Sequence, residues 1–221
     1  MRTFLLLTLP ALPLAAQQHV TFPLSSSGVQ LQADLYGTGK RALVLAHGGR
    51  FDKESWSGQA KVFAEHGFLV LALRFRGDGP NPDGSAGSYG SPEENAADVR
   101  AAVEYLHRIG ATSVDALGGS LGGDAVGEAD TQLPPRTFAH TIMLASNGAD
   151  APERLTGRIL YIVAQDDTSG DGPRLPGIQA HFARTPEPKK LVILKGSAHA
   201  QFLFDTDEGP RLMQEILAFL R

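Results

Sequence analysis

Short apolar runs rich in leucine, valine and isoleucine alternate with segments of helical period along almost the whole chain. A strand that is apolar on both faces has to be covered on both, so the alternation places helices above and below a mostly parallel sheet. Residues 20–23 and 30–36 are separated only by a Ser/Gly turn and read as an opening antiparallel pair. Further strands are expected at 42–46, 69–73, 113–117, 141–144, 159–163 and 190–194, which makes a twisted sheet of about eight strands. Helices are expected over 57–66, from Ser91 to about Ile109, from Ser120 to about Ala129, and over 210–220. Ser91 carries its own start signal, with Pro92 at the first helical position and Glu94 three residues on. Between strand and helix, residues 76–92 are rich in Gly, Pro, Asp and Ser and read as a surface loop.

The chain has 221 residues, enough for one α/β domain with a full core. Its formal net charge is −4 and it holds no long basic run, so nothing in it suits nucleic acid. With no cysteine there can be no disulfide, no thiolate nucleophile and no cysteine-ligated zinc. The first residues form a pattern of their own. Arg2 precedes an apolar stretch to Leu14, and Ala15-Ala16 stand before the polar Gln17-Gln18. That is the layout of a secretory signal peptide, too short to span a bilayer, which needs about 20 residues. Residues 1–16 are therefore expected to be a removable leader and residues 17–221 a single domain, secreted or periplasmic and without a stable membrane anchor.

Gly118-Gly119-Ser120-Leu121-Gly122-Gly123 stands between the 113–117 strand and the following helix. G-x-S-x-G at a sharp strand-to-helix turn lifts the serine clear of the sheet, and the glycines remove the clashes such a turn creates. A helix N-terminus behind Ser120 favours developing negative charge. A serine hydroxyl needs a base. Of the seven histidines, His199 lies in the loop after the last strand, at the carboxyl end of the sheet where open α/β sheets build their sites. The acid is sought between Ser120 and His199, because hydrolases on such sheets keep that order. Asp166 and Asp167 follow the 159–163 strand directly, with Asp150 and Asp171 as outlying alternatives. For the oxyanion, one backbone N–H is expected from Leu121 and another from His47-Gly48-Gly49-Arg50, with Gly49 preferred over Arg50. His47 is expected to brace that loop by hydrogen bonds.

Taken together, these residues resemble the α/β-hydrolase superfamily from about Gln30 to Arg221. Within it the chain is similar to the small, lidless members, and dienelactone hydrolases share its size and layout. Those carry cysteine where this chain has Ser120, which turns the expectation to simple ester hydrolysis. The family's acid turn, laid on Ala164-Gln165-Asp166-Asp167-Thr168, favours Asp167 as the third member. Arg76-Gly77-Asp78-Gly79 resembles a turn common after the preceding strand of the family, expected here to serve packing. Where larger relatives insert a cap, about 14 residues separate Leu144 from Ile159, too few for several helices of about 11 residues each. The resemblance thus implies an open site roofed by loops 76–92 and 170–176, with Phe51, Trp56, Tyr89 and Phe202 as candidate lining. It implies a carboxylesterase-type serine hydrolase acting on a small-molecule ester through Ser120, His199 and Asp167, with no metal and no organic cofactor. The same residues would serve an amidase, peptidase or thioesterase, and a binding domain that kept the fold without catalysis is the alternative of another class.

Overall fold

In the computed structural model, which describes residues 17–24, 27–77 and 90–221, the chain begins with β1 (Gln18–Pro23), β2 (Gln30–Tyr36), β3 (Arg41–Ala46), α1 (Ser57–Glu65) and β4 (Phe68–Arg74). It continues through α2 (Pro92–Arg108), β5 (Ser113–Gly119), α3 (Leu121–Gln132), β6 (Phe138–Leu144) and β7 (Arg158–Ala164). A two-residue hairpin, β8 (Thr168–Ser169) and β9 (Gly172–Pro173), then leads to α4 (Leu175–Arg184), β10 (Lys189–Leu194) and α5 (Gly209–Phe219). The expected leader and most of the 76–92 loop, with Asp78, Gly79 and Tyr89, lie outside the described residues.

The main sheet has eight strands in the order β1-β2-β4-β3-β5-β6-β7-β10. From β4 through β10 neighbouring strands run parallel, and only β2 is antiparallel to its neighbours β1 and β4. Side-chain alternation sorts the core into two layers. Ala42, Val44 and Ala46 of β3 pack on the face that carries α2, α3 and α4. Leu43 and Leu45 pack on the opposite face with Trp56, Phe63 of α1 and Ile216 of α5. Helix α2 starts as its sequence dictates: Ser91 Oγ accepts from Glu94 N–H at 3.3 Å and Glu94 Oε2 accepts from Ser91 N–H at 2.8 Å. Arg76 fastens the turn after β4 onto this helix, donating from Nε to the fully buried Asp98 at 2.7 Å and from its main chain at 2.8 Å. That is the packing role expected of the Arg76 turn.

Two local readings change. The 170–176 segment is not a plain loop, since it holds the β8–β9 hairpin and α4 begins at Leu175. Gly172 at φ +112° lets the two-residue strands close on each other. Strand β6 begins at Phe138, ahead of the expected 141–144, so His140 lies inside it, 2.7 Å from the buried Asp115 carboxylate at the amino ends of the strands. Between β6 and β7 the connection holds only a 3₁₀ turn at Pro152–Arg154, so no cap covers the carboxyl edge there.

Asp130, near the end of α3, is nearly fully buried and holds the entry to β7 through Thr156 Oγ at 2.9 Å and Thr141 Oγ at 3.1 Å. Burial pushes its carboxyl up to about 6, and the threonine hydrogen bonds only partly oppose this. The folded state therefore binds a proton that the unfolded chain has already lost between about pH 4 and pH 6. Stability from this group is present below pH 4 and lost as pH rises through 6, a cost of about 3 kcal/mol at neutral pH. Asp130→Asn removes the titration. Urea denaturation at pH 4.5 and pH 7.5 should show a gap between the two pH values about 2 kcal/mol smaller in the variant, and an unchanged gap would refute the assignment.

Candidate active site

Strand β5 ends at Gly119 and α3 begins at Leu121, so Ser120 alone makes the turn, at φ 51° and ψ −120°. A side chain seldom adopts positive φ, and such strain gathers at functional sites. The neighbours hold the turn shut. A Cβ on Gly118 would lie 2.0 Å from Gly122 O, and one on Gly122 would lie 2.2 Å from Ala46 O. Ser120 N–H donates to Leu144 O of β6 at 2.8 Å, which pins the elbow to the next strand. Its hydroxyl makes no helix-capping bond and is half-buried at the carboxyl edge of the sheet.

Register brings the other loops to it. Ala46 pairs with Gly118, so His47-Gly48-Gly49 leaves β3 directly beside the elbow. Ala164 pairs with Leu194, and the ladder continues as Gln165 N–H to Leu194 O and Asp166 N–H to Gly196 O. The loop after β10 then folds back across β7 and β6. There His199 Nε2 stands 2.8 Å from Ser120 Oγ, and His199 Nδ1 stands 2.8 Å from Asp167 Oδ2. Both distances are hydrogen bonds, and the chain of three is unbroken.

The four candidate carboxylates separate cleanly by geometry. Asp167 is 1% exposed and touches His199, with Arg174 Nε 3.5 Å from its other oxygen, close enough for an ion pair but not bonded. Asp166, one residue earlier, faces solvent, and Asp150 lines a neighbouring cleft. Asp171 faces the cavity beside Ser120 from the hairpin loop. In the loop after β3, His47 is buried. Its Nδ1 donates to Gly48 O at 3.0 Å, and a turn is closed by Phe51 N–H to Gly48 O at 3.0 Å. Gly49 is half-buried in that turn and Arg50 is exposed. Leu121 is the first residue of α3, where a main-chain N–H has no partner within the helix.

A cavity of about 250 Å³ opens beside Ser120, and Asp124, Ser146, Asn147, Asp171 and Arg174 are the main polar residues of its wall. Asp124 lies in the first turn of α3, and its main-chain N–H donates to Ser120 O at 3.0 Å. Its Oδ1 accepts from Ser146 Oγ at 2.6 Å and Gly148 N–H at 3.2 Å. Its surface opens to the cavity, yet the protein packed around it raises its carboxyl above the ordinary range, against those two hydrogen bonds. Phe51 and the exposed Phe202 pack ring to ring at 4.8 Å, and neither is among the residues that line this cavity. Trp56 belongs elsewhere: it is fully buried against Phe204 and lines no part of the site. Gln201, absent from the sequence reading, is buried beside the elbow and bonded to Gly48. Its one signal is a lone polar residue in the run Ala200-Gln201-Phe202-Leu203-Phe204.

No protein-family model and no curated protein sequence matches the chain. Solved structures do. A predicted CIB-like hydrolase from Thermoplasma acidophilum is 18% identical, with 93% of this chain and 98% of that one covered at a TM-score of 0.71. A Pyrococcus furiosus esterase is 13% identical over 93% and 92% of the two chains, at 0.73. Dienelactone hydrolase from Anabaena variabilis is 18% identical over 92% and 96%, at 0.68. The chain has the α/β-hydrolase fold. At these identities the likeness is one of architecture, and chemistry has to be argued from the side chains. On the α/β-hydrolase sheet, Ser120, Asp167 and His199 follow the carboxyl ends of β5, β7 and β10. Among the described residues no group of three His, Asp or Glu side chains is arranged to hold a metal, and no helix is long and apolar enough to cross a membrane.

Proposed function

We propose that the protein is a serine hydrolase that cleaves small carboxylic esters through an acyl-enzyme. The observation that carries this reading is the hydrogen-bonded chain Ser120–His199–Asp167, at 2.8 Å in each link, built on a strained elbow. Ser120 Oγ attacks the ester carbonyl carbon while His199 Nε2 takes its proton. The tetrahedral oxyanion is held by the N–H groups of Leu121 and Gly49. As the C–O bond breaks, His199 returns the proton to the leaving alcohol. Water then attacks the acyl-Ser120 ester, giving its proton to His199, and the acid leaves as Ser120 regains its own. Asp167 accepts from His199 Nδ1–H throughout, fixing the tautomer and stabilising the imidazolium. The leader-like residues 1–16 would place this chemistry outside the cytoplasm.

The cavity supports a small and polar acyl or alcohol part. Its volume of about 250 Å³ lies at the low end for ligand sites, which are commonly about 300–1,000 Å³ and mostly apolar. A hydrocarbon chain laid against Asp124 and Arg174 would strip water from charged groups without replacing its hydrogen bonds. The test is a panel of p-nitrophenyl esters from acetate to dodecanoate, with a matched acyl thioester and an aminoacyl amide beside it. Turnover should be greatest on acetate or butyrate and lower by at least about ten-fold in kcat/KM on dodecanoate, a span one or two lost contacts supply. Faster turnover of the thioester or amide would move the assignment to those substrates. No turnover of any member, with no labelling by a fluorophosphonate, would remove it.

A further inference from the structure

Gln201 ties together three segments that meet only in the folded chain. It stands two residues after His199, in the 3₁₀ turn Ala200–Asp205, and is 4% exposed. Its side-chain Oε1 accepts from Gly48 N–H at 3.2 Å. Its Nε2 donates to Ser55 Oγ at 3.0 Å. The direction of the second bond is set by chemistry: the one hydroxyl proton of Ser55 goes to Asp52 O, at 2.5 Å, so Ser55 Oγ is left to accept. Gln201 also leans on the elbow, because a Cβ on Gly119 would fall 2.6 Å from its Oε1. One amide thus touches the loop after β3, the nucleophile turn and the support beneath them.

This arrangement matters for the Gly48–Gly49 peptide. Gly48 N–H is committed to Gln201, and Gly48 O accepts from both His47 Nδ1 and Phe51 N–H. With both ends of that residue held, the next N–H along, that of Gly49, has a set direction. Two glycines in succession have no intrinsic preference to hold such a direction, because each roams most of φ/ψ space. Oxyanion donors act by being aimed in advance, and a donor that has to be ordered during the reaction loses much of its effect.

We infer that Gln201 is a positioning residue of the oxyanion loop: it holds Gly48 N–H so that Gly49 N–H meets the developing oxyanion. The inference rests on the serine hydrolase reading above. Gln201 touches neither substrate nor reacting atoms, and acts through Gly48. Gln201 lies two residues after His199 in the same turn, so the base and the anchor of the oxyanion loop sit on one short piece of chain.

The experiment compares wild type, Gln201→Met and Gln201→Glu. Methionine fills the same space without either hydrogen bond, and glutamate keeps an acceptor for Gly48 N–H. For each, kcat is measured per Ser120 site titrated with a fluorophosphonate, together with KM, the pH profile on p-nitrophenyl acetate and amide hydrogen exchange at Gly48. Gln201→Met should lower kcat about 10- to 100-fold, less than the 10²–10³ of a deleted oxyanion donor. KM should stay within about three-fold, the pH profile should not move, and Gly48 exchange should quicken. Gln201→Glu should stay within about ten-fold of wild type in kcat. A purely structural role would lower the titrated fraction and leave kcat per site intact. A folded Gln201→Met with kcat per site within about two-fold of wild type overturns the inference. Should that variant not fold, Gln201→Leu, which also lacks both hydrogen bonds, takes its place under the same criterion. The two readings fail separately. Wild type that neither labels nor turns over defeats the hydrolase reading, while Gly48 exchange still reports whether Gln201 anchors the loop.

Discussion

Ser120→Ala is expected to fold as wild type does and to be inert. Its kcat on a short ester should fall by at least about 10⁴-fold, the scale at which a nucleophile acting as one unit with its base is lost. Labelling by a fluorophosphonate should vanish with it. The stability half of the expectation follows from the turn itself. Ser120 Oγ caps no helix and is hydrogen-bonded to His199, so its removal leaves the elbow's main-chain bonds to Leu144 O and from Asp124 N–H in place. The melting temperature should move by no more than about 2 °C, which corresponds to at most about 1 kcal/mol for a chain of this size. Asp167→Asn is the companion. It keeps the shape but can turn an amide N–H₂ toward His199 Nδ1 and so favour the wrong tautomer, and kcat should drop about 10⁴-fold with the fold intact. Persistent labelling of Ser120→Ala would end the case for this serine.

A second large effect is expected where no chemistry occurs. Gly122→Ala should abolish or nearly abolish folding, with a loss above about 4 kcal/mol, the range reserved for severe core or backbone conflict. The added methyl would sit 2.2 Å from Ala46 O and 2.5 Å from Ala46 C. Both belong to the main chain of β3, which is hydrogen-bonded on two sides, so neither partner has a flexible end to yield. The control is Gly58→Ala in α1, where an added Cβ meets nothing within 4 Å. That change should gain up to about 1 kcal/mol from helix propensity alone. Urea midpoints of the two variants should therefore move in opposite directions. Equal midpoints would show that close approach of α3 to β3 is not what keeps Gly122 a glycine.

Much of this layout is legible along the chain, because its causes are local. Apolar runs alternating with helical period give strands β3 to β7 and β10 within a residue or two at most ends. The Ser91 cap reads directly, since all of its bonds lie within four residues. Segment 168–176 is harder. Its hairpin and the start of α4 depend on Arg174 N–H reaching back to Asp167 O, and no periodic pattern announces that bond. Trp56 looks like a site residue by type and is core by position, because nothing in a lone aromatic tells which side of a helix start will be covered.

For the site the division is sharper. The sequence by itself determined the elbow, because a glycine-flanked serine between a strand and a helix is a matter of short-range sterics. It also brought the choice of acid down to two neighbouring aspartates after β7. Only the tertiary structure decided which of them touches His199, because that depends on how the turn after β7 lies beside the loop from β10, and one residue of difference sends a carboxylate to solvent. Only the tertiary structure brought Gln201 to Gly48, 153 residues apart, since that contact follows from strand order and from the path back across β7 and β6. Short-range sterics are written in adjacent residues; contacts across a sheet exist only once every intervening strand has taken its register.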